Sequence, residues 1–321
     1  MTLLRILSAA LFAISLAGAA QAQTFPSRAI RIVVPFPPGG AADLTTRILA
    51  EYLSKGLGQP VIAENRPGGS TIIGTENVAR SPADGHAVLV VFPSFIINPS
   101  VRTGLSYDPL RDFRAVGQTM AVPMVIAVNI SVPAKSLQEL VALARAKPGE
   151  ISYGTPGIAT THHVMGEMLG LAAKIKLVHA PFQGGGPALA ALTGGHIPMI
   201  YANASEIAPS VKSGKVRPLV VTSPERSDVL PDVPTMRESG YPELEATNWS
   251  GMVVPAATPA AIVARLNQEL VRALRLADVV EKFRGYGMNP LPTTPEQFGA
   301  FLQAESARYA RVVKEAGVKA E

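Results

Sequence analysis

The chain contains no cysteine, and that single absence removes two classes of protein. No disulfide framework can staple it, and no lipid can be attached through an N-terminal cysteine. Aromatic residues are scarce, at 6%, with one tryptophan in 321 residues. Charged residues reach only 17%, and the net charge of +5 is spread along the chain without any cluster of four or more Lys or Arg. Nucleic-acid binding needs a basic stripe with interleaved aromatics, so no nucleic-acid partner is expected, and mild attraction of small anions fits better. No G-x-S-x-G elbow occurs, because Gly69-Ser70 runs on into Thr71-Ile72. An exported hydrolase built on that elbow is therefore disfavoured, and no catalytic residue is assigned. Gly184-Gly185-Gly186 lacks both the Lys-Ser/Thr of a phosphate loop and the G-x-G-x-x-G spacing, which argues against a nucleotide.

What is present begins with the N-terminus. Arg5 precedes an apolar stretch over 6–19, and Ala20-Gln21-Ala22 then offers a small-residue cleavage site before Gln23. This three-part pattern predicts a signal peptide over 1–22, cleaved near Ala22, and an exported mature chain. No later run has the length of a membrane span. Hydrophobic residues make up 47%, enough for sizeable cores, and the length suits two domains better than one.

Short apolar runs at 30–34, 61–63, 87–91, 115–117, 124–128, 151–153, 177–179, 199–202 and 219–222 read as buried strands. Helical periodicity marks 41–56, 71–80, 136–147, 161–172, 186–194, 204–213, 259–275, 277–285 and 295–316. Strands alternating with helices predict an α/β protein with parallel, doubly wound sheets. Two long extended stretches, 116–128 broken by Pro123 and 247–254 with Trp249 and Gly251, read as a two-strand hinge. One lobe would then span 23–122 plus 250–321, with 123–249 inserted as the second. Trp249 at that hinge is expected to pack rather than to touch a ligand.

Two glycine-rich loops stand out within this pattern. Pro35-Phe36-Pro37-Pro38-Gly39-Gly40 follows one strand and precedes a helix carrying Asp43 and Arg47. Tyr153-Gly154-Thr155-Pro156-Gly157 follows another and precedes Thr160-Thr161-His162-His163. A strand, a glycine loop and a helix N-terminus expose backbone N–H groups that hold an anion without Arg or Lys. Ligands of open α/β sheets sit at the carboxyl ends of strands, so the crevice between two lobes is the expected site. Plainer readings stand beside this one. Gly39-Gly40 is equally a tight turn, and Thr160 or Thr161 is equally an N-cap. Asp43 is expected to complement the helix dipole or to pair with Arg47 four residues on. His163 and Glu167 share a helix face, but two ligands without a third do not make a metal site, and none is expected.

Many further residues, in order, match a known family. They include Ile32-Val33-Val34-Pro35-Phe36-Pro37 with Gly39-Gly40, Asp43 and Arg47, then Glu64-Asn65-Arg66-Pro67-Gly68 and Ala83-Asp84-Gly85. Asn98-Pro99, Tyr107-Asp108-Pro109 and Ala146-Lys147-Pro148-Gly149 follow, and then Tyr153-Gly154, Gly157 and His163. Pro181-Phe182-Gln183-Gly184, Ser213-Gly214-Lys215, Leu230-Pro231-Asp232-Val233-Pro234-Thr235 and Trp249 with Gly251 complete the set. From about Phe25 to the C-terminus the chain resembles the extracytoplasmic receptors of tripartite tricarboxylate transporters, also called Bug-type receptors.

The resemblance implies a two-lobe periplasmic-binding-protein fold, type II-like, with two crossing hinge strands. It implies a periplasmic monomer that captures a small carboxylate and delivers it to a large and a small membrane permease subunit, with no cofactor. A receptor presenting its ligand to a membrane sensor is the alternative. Carried over by position, the ligand loops are 36–40, 68–71 and 92–95 in one lobe, and 155–161 and 182–185 in the other. The residues implied to bind are Phe36, Pro37, Gly39, Gly40, Ser70, Thr71, Ser94, Thr155, Gly157, Thr160, Thr161, His163, Gln183 and Gly184. The sequence departs from the family pattern at Pro38, Ile72, Ile158, Ala159 and His162. Ala202 stands where an Asp is frequent, which argues against a ligand carrying an amino group. Ile72, Phe95 and Ile158 are expected to make the pocket more apolar, hinting at an aromatic or branched acid.

Overall fold

A computed structural model describes residues 25–39 and 41–318. The expected signal peptide and Gly40 lie outside the described residues. The first wing of the sheet holds three parallel strands, β1 (Ile30–Val34), β2 (Val61–Asn65) and β3 (Ala87–Val91). Val33 sits opposite both Glu64 of β2 and Leu89 of β3, so β1 is central among them. Its apolar, β-branched run is what a strand covered on both faces requires. Helix α1 (Ala41–Leu57) turns Ala42, Leu49, Ala50, Leu53 and Leu57 inward, and α2 (Ile72–Ala79) crosses beside Pro35. Gly74 makes that crossing fit: a Cβ there would lie 2.8 Å from Pro35 Cβ and 3.0 Å from Arg66 O.

Helix α3 (Ser94–Val101) was not expected from the sequence, and its reason is physical. Ser94, Phe95, Ile96, Ile97, Asn98 and Val101 are all buried, and Pro99 lies inside it. A helix buried at six of its eight residues has almost no polar face, so it shows no 3.6-residue period to read. Phe95 is 1% exposed and packs edge to face on Phe113 with ring centroids 5.2 Å apart. It therefore belongs to the core, where burial is worth roughly 1.5–3 kcal/mol, and does not line a pocket. That corrects the apolar-pocket expectation at this residue.

The long strand β4 (Phe113–Asn129) organises the rest. The sequence suggested two short strands here, and the structure makes them one. From Phe113 to Pro123 it pairs antiparallel with β9 (Thr247–Pro255), ending at the pair Pro123↔Thr247. From Met124 to Val128 it pairs instead with β7 (Met199–Asn203), beginning at Met124↔Asn203. Pro123 has no N–H to give a ladder, so it suits the point where the partner changes. The second wing is again parallel: β5 (Ser152–Thr155) lies between β6 (Val178–Pro181) and β7. Overall the order is β2-β1-β3-β9-β4-β7-β5-β6, with β8 (Val216–Val221) and β10 (Asn289–Pro290) also on β4. The sheet is thus parallel in its wings and antiparallel at its centre, where β3, β9, β4 and β7 meet. The expected parallel pairing holds in the wings, and the extended hinge strands between them pair antiparallel.

The remaining helices are α4 (Leu137–Ala146), α5 (Thr161–Ala173), α6 (Gly185–Thr193), α7 (Ala204–Lys212), α8 (Ala260–Leu274), α9 (Ala277–Gly285) and α10 (Pro295–Ala316). Helix α10 starts with a capping box between Thr294 and Gln297 and ends at Gly317 with φ 67°. It lies against α3, β4 and α5. Through Phe298, Leu302 and Tyr309 one apolar cluster runs from Val33 and Leu89 to Tyr153 and Leu169. Trp249 is 1% exposed within it, edge to face with Phe298 and Phe301.

Candidate ligand-binding site

The first group of expected site residues gathers beyond the carboxyl ends of β1, β2 and β3. Phe36 and Phe92 meet edge to face with centroids 4.9 Å apart. Buried Thr71 and Ser94 bring their hydroxyl oxygens to 3.4 Å. The Asn98 side-chain amide donates to Ser70 O at 2.8 Å, and Arg102 donates to Ser70 Oγ at 3.3 Å. Pro37 and Gly39 are exposed.

Backbone strain is concentrated in one stretch of this group. Gly68, Gly69, Ser70 and Thr71 have φ of 126°, 58°, 53° and 81° in succession. Left-handed backbone costs a non-glycine residue roughly 1–2 kcal/mol, so Ser70 and Thr71 are there against their own preference. Such strain persists where surroundings over-determine it and clusters at ligand clamps. Successive N–H groups in turns of this kind form concavities suited to anions.

The Gly39 loop is held by charge. Gly39 N–H donates to Asp43 Oδ2 at 2.9 Å, and Asp43 is only 3% exposed. Arg47 lies 2.9 Å from Asp43 Oδ1, and Asn65 donates to the same oxygen at 3.0 Å. Burial raises the pKa of this carboxyl, but the bonds from Arg47, Gly39 and Asn65 outweigh it and hold the group below the ordinary range. Asp43 therefore pairs with Arg47 as its spacing indicated, and in addition occupies the Gly39 N–H.

The second group lies beyond the carboxyl ends of β5 and β6. Phe182 N–H donates to Thr155 O at 3.0 Å and Gly184 N–H to Pro156 O at 3.1 Å, tying the two loops together. Gly157 has φ 150° and donates to Thr155 Oγ1 at 3.3 Å. Thr160 caps α5 by accepting from His163 N–H at 3.3 Å, and its own hydroxyl donates to Gly157 O at 2.8 Å. Capping and loop shaping thus use the same side chain. Gln183 is exposed, and a Cβ on Gly184 would meet nothing within 4 Å. Thr161 is 2% exposed, so its side chain serves the fold.

Behind these loops sits an imidazole pair, His163 buried and His179 half-buried. His163 stacks on His179 with centroids 3.7 Å apart and planes 9° from parallel. His179 Nε2 lies 2.7 Å from Thr155 Oγ1, and Ala159 N–H points to His163 Nδ1 at 3.4 Å. Burial lowers the pKa of His163 to about 4. Burial, and then the neighbouring His163, lower that of His179 to about 3. Both are neutral at pH 7, so the 3.8 Å approach of His163 Nε2 to Glu167 is not an ion pair. Glu167 accepts instead from Tyr153 OH at 2.6 Å. Among the described residues no three His, Asp or Glu side chains are placed to share a metal ion.

Sequence reading missed His179, Asn98, Arg102 and Asn65. Of these, His179 reaches the site only because β5 and β6 pair in a register that sets Tyr153 opposite His179. Asn98 and Arg102 come from α3 and its C-terminal end. Within each group the residues touch. Among the described residues, no hydrogen bond, ion pair or ring contact joins the expected site residues of one group to those of the other.

A model of the tripartite tricarboxylate transporter family receptors, TctC, matches residues 45–318. The chain belongs to this family. Protein BugT of Bordetella pertussis (strain Tohama I) is 36% identical over 324 residues, 99% of each chain. An R. palustris protein solved with adipate is 31% identical with a TM-score of 0.83, covering 92% of this chain and 99% of that one. MatC from Rhodopseudomonas palustris, solved with bound malate, is 30% identical with a TM-score of 0.80, covering 90% of this chain and 100% of that one. The fold is accordingly the two-lobe one of TctC and Bug periplasmic binding proteins, and the family read from the ordered motifs is borne out. TctC proteins are solute-binding receptors rather than enzymes, and no helix among the described residues is long and apolar enough to cross a membrane.

Proposed function

We propose that this TctC receptor binds a small carboxylate between its two loop groups and passes it to a large and a small membrane permease subunit. The observation that carries the reading is the placement of both groups at carboxyl ends of parallel strands, each built from glycines, hydroxyls and helix N-termini. Relatives of the same fold hold adipate and malate. The strained run through Ser70 and Thr71 and the Gly157 turn supply the rigid concavities. Hydrogen bonds from backbone N–H to a carboxylate are among the stronger ones, and bridging waters extend them where distances are long.

In this reading the contacting residues are those carried over from the family motifs, from Phe36 to Gly184, apart from the Gly39 N–H that Asp43 occupies and the buried Thr161 side chain. The lobes comprise 23–122 plus 250–321 and 123–249, a division supported by the change of β4 partner between Pro123 and Met124. The first 22 residues are removed on export, the mature receptor acts as a monomer in the periplasm, and it performs no chemistry on its ligand. A thermal-shift panel of mono-, di- and tricarboxylates and aromatic acids tests the reading. At a concentration near a hundred times Kd, a ligand stabilises the native state by about 2.7 kcal/mol, which raises Tm by several degrees. A panel without any shift sinks the carboxylate reading.

A further inference from the structure

Strands β7, β5 and β6 lie side by side and parallel, so their carboxyl ends open onto one edge of the sheet. Two of the three loops at that edge belong to the site already described. The third is the turn from β7 into α7, which begins at Asn203 and carries Glu206 in its first turn. Asn203 is fixed from two sides: His162 Nε2 lies 3.2 Å from its Oδ1, and Asn248 donates to the same oxygen at 3.3 Å. Its amide nitrogen is thereby turned to Glu206 and donates to Oε1 at 3.0 Å. The other carboxylate oxygen lies against Gly185, at the end of the 182–185 loop. A Cβ on Gly185 would be 2.5 Å from Oε2, so only a residue without a side chain leaves the acid in that place.

Glu206 is exposed to solvent, yet the protein around it is dense enough that burial raises its carboxyl pKa. Solvent access within crowded surroundings is what the wall of a crevice provides. Among the described residues only the Asn203 bonds oppose that shift, and no Lys or Arg contributes to it. An ionised carboxylate is an acceptor only. Held without a cation beside an anion site, it favours a partner that donates and repels a second negative charge.

We infer that Glu206 is the specificity-determining residue of this receptor, selecting a carboxylate that also bears a hydroxyl or ammonium donor and disfavouring a second ionised carboxylate at that end. The inference rests on the carboxylate reading above. It reverses the expectation drawn from Ala202, because the acid missing from the end of β7 is supplied four residues later by α7.

Isothermal titration of the mature receptor with matched probes tests it: butyrate, 4-hydroxybutyrate, 4-aminobutyrate and succinate, with their five- and six-carbon homologues. At one chain length or more, the wild type is expected to bind a hydroxy or amino acid at least tenfold tighter than the unsubstituted acid. Glu206→Gln, its folding checked by melting, should cut that ratio by at least tenfold and strengthen binding of the diacid. Gly185→Ala, which displaces the carboxylate without altering it, should lower the same ratio. If both variants bind acids with the wild-type ranking unmoved, Glu206 is a helix cap and the inference is overturned. If the wild type binds no acid in the panel, the carboxylate reading fails and this inference falls with it.

Discussion

The two loop groups facing the proposed site are built on opposite electrostatic principles. Around Gly39 the backbone is pinned by charge, with an ionised Asp43 between the Gly39 N–H and Arg47. Around Gly157 it is pinned by neutral groups, with Thr155 and Thr160 on the loop and a stacked pair of uncharged imidazoles behind. The first arrangement tolerates water because Arg47 is half exposed and its bond to Asp43 is charge-assisted. The second depends on burial, since an imidazole kept out of water stays neutral only while protonation is costly. One receptor thus carries one jaw indifferent to mild acid and one jaw sensitive to it.

The largest expected effect tests whether the second group holds the ligand at all. Gly157→Leu forces a side chain into a backbone region that L-residues rarely adopt and places bulk beside Thr160 and Phe182. Affinity for whichever acid scores in the thermal-shift panel should fall at least a hundredfold by calorimetry, with the circular dichroism spectrum preserved. Retained affinity would remove this loop from the site.

Acid should then separate the two groups. His163 and His179 have folded pKa values of about 4 and about 3, against an ordinary 6.5. Above pH 6.5 neither state of the chain binds the extra protons, so no penalty exists. As pH falls below 6.5 the unfolded chain protonates first and native stability is lost, by on the order of 3 kcal/mol for His163 and about 5 kcal/mol for His179 once each folded pKa is reached. The Asp43 carboxyl is shifted the other way, held below its ordinary range by Arg47, Gly39 and Asn65, so the first group should be disturbed less by the same acid step. Chemical denaturation of the wild type at pH 7 and pH 4.5 should show this loss, and His179→Phe, which keeps a ring but cannot protonate, should reduce it. An equal loss in the variant would mean that the imidazole pair is not the acid-sensitive element.

The smallest effect compares strain in the two groups. Ser70 is exposed with φ 53°, so Ser70→Gly should relieve backbone cost while losing one exposed bond from Arg102 at 3.3 Å. A gain of about 0.5–1 kcal/mol in denaturant unfolding is expected. Ala159 has φ 59° but is fully buried, so Ala159→Gly loses a packed methyl worth about 0.8 kcal/mol and should be nearly neutral. If Ser70→Gly destabilises instead, its left-handed backbone is not a stored cost.

Much of the fold was legible because it is written in local terms. Strands at 30–34 and 87–91 and helices over 277–285 and 295–316 occur where periodicity and caps placed them. Helix α3 was not legible, since the burial of six of its eight residues left no polar face to mark the period. The extended stretch 116–128 was legible, but Pro123 reads as a break in it and in fact stands where one continuous strand changes partners. Phe95 looked available to a pocket because its loop is, and its burial against Phe113 needed the third dimension.

The sequence by itself determined the family, the alternation of strands and helices, and which loops carry glycines and hydroxyls, because those depend on residue order and local backbone preference. Only the tertiary structure decided which groups meet: His179 on His163 through strand register, Asn65 on Asp43 from the neighbouring strand, and Glu206 against Gly185 across neighbouring loops. These are contacts between segments that share no local pattern, and only the pairing of strands β5, β6 and β7 brings the last of them to one edge.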